Sequence, residues 1–127
     1  MATNRLTTLI EQFDAQNYLL ASRNIAFTDA TPTLGELRAA SLPDTSETTI
    51  NLIVSIARHV WIRNTHATAT LTVKWTPTTG SIATVIVLGP GHVISFWAPT
   101  TAATYGISAL HLTGSVALTS YELFIGG

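Results

Sequence analysis

The chain predicts a mainly β protein: an antiparallel β-sandwich, jelly-roll or immunoglobulin-like, preceded by an N-terminal α-helix and an extended arm. Three observations predict it. From Thr49 onward apolar residues recur at every second position, the period of a strand with one buried face. Gly, Pro and Asn punctuate that region at intervals of about ten residues, as they do in all-β sandwiches and barrels. The first twenty residues instead carry apolar side chains at a helical spacing.

The predicted helix opens at Asn4, which can cap it, and places Leu6, Leu9, Ile10, Phe13 and Leu20 on one face. Leu6, Phe13 and Leu20 also fit one core position of a heptad and Leu9 and Gln16 the other, over too short a span for a coiled coil. That face packs either on its own domain or on a neighbouring subunit. Thr28 to Ser46 contains Pro32, Gly35 and Pro43 and reads as an arm, with one helical turn where Thr33 and Glu36 have capping-box spacing. Residues 1–47 are therefore expected to form the helix and anchoring arm, and residues 48–127 the sandwich. Its seven strands are expected at Thr49–Ile56, Arg58–Arg63, Ala67–Trp75, Ile82–Leu88, Val93–Ala98, Ile107–Thr113 and Val116–Ile125. Ile82–Leu88 is apolar on both faces, which predicts a central or covered strand.

Composition narrows the function. Apolar residues make up 46% and charged residues 10% of 127 positions, with a net charge of −1. This argues against a disordered chain and against nucleic-acid binding by bulk charge. There is no cysteine, so neither a disulfide scaffold nor a thiolate metal site can form. Met1 to Leu20 is broken by Glu11, Gln12, Asp14 and Gln16 and does not read as a secretory core, and no apolar run is long enough to span a membrane. Charge is uneven: residues 48–127 hold only Arg58, Arg63, Lys74 and Glu122. So sparse a charge for a water-facing surface predicts that part of it is covered by a partner.

No catalytic constellation is expected. The strand region offers one carboxylate, Glu122, where glycoside hydrolysis needs two, and no Gly-x-Ser-x-Gly elbow occurs. His59, His66, His92 and His111 lack metal-ligand spacing, so no cofactor or metal is predicted. The strongest interaction signal is Arg58–Arg63. If Val60 and Ile62 point inward, then His59, Trp61 and Arg63 share the opposite face, which suits a subunit or partner interface, internal packing under a second layer, or a sugar-stacking platform. Trp75 and Trp97 are expected in the core, the first with Leu71 and Val73 and the second with Val93.

The run Val73-Lys-Trp-Thr-Pro-Thr-Thr-Gly80, then Val87-Leu-Gly-Pro-Gly-His-Val-Ile-Ser-Phe-Trp97, Ile107-Ser-Ala-Leu110 and Glu122-Leu-Phe-Ile-Gly-Gly127, resembles small virion proteins of tailed bacteriophages. In those proteins a Thr/Ala/Gly-rich β-sandwich decorates the capsid or belongs to head fibres or tail parts. The resemblance covers residues 48–127 and carries no active residues. It implies a virion location, self-association as a homotrimer, and docking of the N-terminal segment on capsid, portal or tail proteins. No nucleic-acid or membrane partner is expected. The alternative is a carbohydrate-binding module with Trp61 as platform, recognising a host-surface glycan or polysaccharide.

Overall fold

The structure, a computed structural model, describes residues 4–29, 35–79, 83–98 and 106–127, which form ten strands and no helix. The chain divides into two compact units, Met1–Pro32 and Thr33–Gly127.

In the first unit β1 (Asn4–Phe13) and β2 (Leu19–Asp29) form an antiparallel two-stranded sheet. The predicted helix is thus corrected to a hairpin. Its expected face is dispersed: Leu9 and Ile10 are neighbours on a strand and fall on opposite faces, and Leu20 lies on β2. Leu9, Ile10, Phe13 and Leu20 are all at least half exposed, while the Leu6 side chain lies outside those described. The reason is local. Asp14 Oδ1 accepts hydrogen bonds from the Gln16 and Tyr18 amides, each at 2.9 Å, and Asn17 adopts a left-handed φ of 65°. An Asx turn closed by a left-handed Asn reverses the chain where a helix would have to continue.

The second unit contains two four-stranded antiparallel sheets. One has the order β3 (Gly35–Ser41), β10 (Ser120–Gly126), β5 (His59–Asn64), β8 (Val93–Trp97); the other β4 (Thr48–Ile50), β9 (Ile107–Gly114), β6 (Leu71–Pro77), β7 (Thr84–Leu88). β6 pairs with β7, β5 with β8, β4 with β9 and β3 with β10. The segment is therefore one long antiparallel ribbon doubled back between β6 and β7. Rolling that ribbon adds the pairs β10–β5 and β9–β6, and it leaves one apolar face of each sheet to bury. Leu71, Val73, Leu88, Leu110 and Leu112 from one sheet and Val60, Ile62, Leu123 and Ile125 from the other form a single core.

Several strand bounds differ from expectation. β3 lies within the predicted arm, so the sheets begin upstream of residue 48. The Thr49–Ile56 alternation yields only Thr48–Ile50 as strand, because Ile53 takes a left-handed φ of 59° and bends the chain away. Ala67–Thr70 is a loop: His66 Nδ1 accepts hydrogen bonds from the Thr68 and Ala69 amides at 3.2 and 2.9 Å. β7, expected to be central or covered, is an edge strand with Val85 and Val87 each 57% exposed.

Candidate interaction face

Residues opposite one another on neighbouring strands share a face. In the sheet β3-β10-β5-β8 the register aligns Leu37, Phe124, Trp61 and Ser95 in one row across all four strands. The adjacent rows are Ala39, Glu122, Arg63, Val93 and Gly35, Gly126, His59, Trp97. Val60 and Ile62 are buried in the core, so by alternation these three rows line the outer side.

This outer side is apolar at its centre and charged along one flank. Leu37 is 71% exposed, and Trp61 and Phe124 are half-buried beside it. Leu37, Arg38, Ala39, Trp61 and Glu122 line a shallow depression of about 380 Å³. Arg63 Nη1 lies 3.9 Å from Oε2 of Glu122, one of the lining residues, both side chains remaining substantially exposed. His59 lies on the same side but is 2% exposed, its ring stacked on Trp97 with centroids 3.6 Å apart and planes 10° from parallel. Of the three residues singled out on β5, Trp61 and Arg63 are thus accessible, and His59 supports the face from beneath Trp97.

Trp97 corrects an expectation. The β5–β8 register sets Ile94 against Ile62 and Phe96 against Val60, so Ile94 and Phe96 pack on the core while Val93 is 49% exposed. β8 is apolar on both faces, so alternation could not choose between them. Trp75 does pack against the core. Phe124 and Leu37 were missed. The alternation of Tyr121, Leu123 and Ile125 could have pointed Phe124 outward, whereas Leu37 lay in a segment read as an arm.

The outer side of the other sheet differs in chemistry. Thr49, Thr72, Lys74, His111 and Thr113 populate it, with Lys74 Nζ 2.9 Å from Glu47 Oε2 and His111 Nδ1 3.1 Å from Thr49 Oγ1. The hydrogen bond from Lys74 holds the Glu47 carboxyl below the usual carboxylate range. No group of three or more His, Asp or Glu side chains converges as a metal site among the described residues. No protein-family model matches the chain, and comparison with curated proteins and with solved structures finds no match.

Proposed function

We propose that residues 33–127 form a jelly-roll sandwich and that the chain is a virion structural protein working by assembly. The decoration, head-fibre and tail accessory types fit, with the N-terminal segment as the anchor. The observation that carries this reading is the pairing of β3 to β10 as one doubled and rolled ribbon, the eight-strand architecture that viral capsid and lectin domains share. Fold alone does not fix function, and two surface features favour assembly over catalysis. One sheet presents Leu37, Phe124 and Trp61 in a row, a half-desolvated aromatic centre of the kind that anchors protein contacts. The hairpin carries Leu9, Ile10, Phe13, Tyr18, Leu19 and Leu20, each at least half exposed, and a two-stranded hairpin is marginally stable by itself in water.

A second reading has support in the same depression. Trp61 beside the Arg63–Glu122 pair offers a ring and two hydrogen-bonding charges, a combination suited to stacking and gripping a sugar. Trp61→Ala separates the alternatives. As part of a subunit or virion contact, Trp61 contributes about 2 kcal/mol or more to assembly, and truncation costs folding less than the roughly 3–5 kcal/mol of a core Trp. Urea unfolding and assembly measured on one mutant check this. Unchanged assembly with lost retention on a polysaccharide column would favour the glycan reading.

A further inference from the structure

The four edge strands of the two sheets are finished differently. β3 sets Glu36 and Arg38 opposite Ile125 and Leu123, and the two charges pair at 3.2 Å. Arg38 also donates to the Asn51 carbonyl at 2.8 Å. β4, joined to β3 by one short loop, is three residues long. Inward-pointing charge and shortness are two ways in which a sheet edge is blunted. β7 and β8 are the other two edges, joined by the tight turn in which His92 N donates to the Gly89 carbonyl at 3.1 Å.

β7, Thr84-Val-Ile-Val-Leu88, has no such device. It carries no charge and no proline, its register with β6 is unbroken, and β6 is its one strand partner among the described residues. Val85 and Val87 are each 57% exposed and Ile86 37%. A regular apolar edge of this kind is a template for another strand, because its outward N–H and C=O groups have no ladder to join.

We propose that β7 pairs antiparallel with β7 of a second copy, joining two β4-β9-β6-β7 sheets into one continuous sheet across a two-fold axis. The proposal rests on the assembly reading above and gives it a contact and a symmetry. Antiparallel pairing of a strand with its own copy is isologous, so one patch supplies both halves of the contact. In every register of Thr84–Leu88 against itself, Thr, Val, Ile and Leu meet only one another. No like charges oppose, and β-branched cross-strand pairs are favourable. Lys74, opposite Val85 on β6, is already held by Glu47. A three-fold ring would need each copy to offer two different complementary surfaces, whereas β7 by itself supplies both halves of a two-fold contact. The two-fold is an alternative to the expected homotrimer, and the solution mass distinguishes the two.

The test uses the intact chain. Light scattering after gel filtration should give wild type a dimer mass, or an even multiple of the protomer, at tens of micromolar. The double variant Val85→Lys/Val87→Lys should fall to half that mass, with strand circular dichroism and urea midpoint retained because both positions already face solvent. The chain contains no cysteine, so Val85→Cys, Ile86→Cys and Val87→Cys can each be oxidised separately. The position nearest the axis should give a disulfide-linked dimer, and Leu37→Cys should not. This scan decides the matter if the lysine variant fails to fold. An oligomer whose mass is unmoved by the lysines but lowered by Trp61→Ala would overturn the β7 contact and leave the assembly reading standing. Absence of any cross-link from the β7 cysteines would do the same. A wild-type monomer throughout would overturn both.

Discussion

Asn64 shows how much one short polar side chain can hold. It is fully buried, its Nδ2 donates to the Ala69 and Leu88 carbonyls at 2.8 and 3.0 Å, and its Oδ1 accepts from the His66 amide at 3.0 Å. Its backbone also bonds His92 and Gly91. One residue at the end of β5 thereby fixes the loop into β6 and the turn between β7 and β8. Each buried polar group left unpaired costs roughly 1–3 kcal/mol, so Asn64→Ala should lose about 2–4 kcal/mol in urea unfolding. Asn64→Asp should fare no better, since a carboxylate has no proton to give either carbonyl. A loss below about 0.5 kcal/mol, the usual limit for a neutral surface change, would contradict this role. In the sequence Asn64 is legible as a turn residue and no more. Its partners at Ala69 and Leu88 come together only after the ribbon has rolled. By contrast, the inward direction of Val60 and Ile62 was legible from alternation alone, because β5 has apolar residues on one face and His, Trp and Arg on the other.

Elements were legible in proportion to how one-sided they are. β5, β8, β9 and the core of β10 lie close to their expected places, since turn residues stand at one or both ends of each of them. β7 and β8 are apolar on both faces, so the pattern could not say which is an edge or which face is inside. The N-terminal segment misled because Leu6, Leu9, Ile10 and Phe13 satisfy a helical spacing, while Asp14 and Asn17, the residues that turn the chain, look unremarkable on a helix surface. β3 was hidden because its inward positions hold Glu36 and Arg38, which read as exposed. The division after Pro32 carries a prediction at this scale. Every residue of the buried cluster lies between Leu42 and Ile125, so a chain of residues 33–127 should keep a cooperative urea transition with its midpoint unchanged. Loss of that transition would show that the hairpin completes the core.

At the scale of the whole molecule, charge is sparse and unevenly spread along the chain. Residues 48–127 hold four charged side chains; among them Lys74 pairs with Glu47, and Arg63 lies beside Glu122 at the Trp61 depression. The described surface includes Thr on one sheet and Leu37 with the half-buried Phe124 and Trp61 on the other, and Val85 and Val87 along an edge strand. The order in which the strands pair was not legible, because β3–β10 and β4–β9 join residues far apart in the chain. Composition could suggest a covered surface but not locate it. The central claim is that this chain works as an assembled structural protein. The most direct test is the mass of the intact wild-type chain by sedimentation equilibrium, followed from low to high micromolar concentration at moderate salt. The account predicts a reversible oligomer whose mass is an even multiple of the protomer; a monomer at every concentration would contradict it.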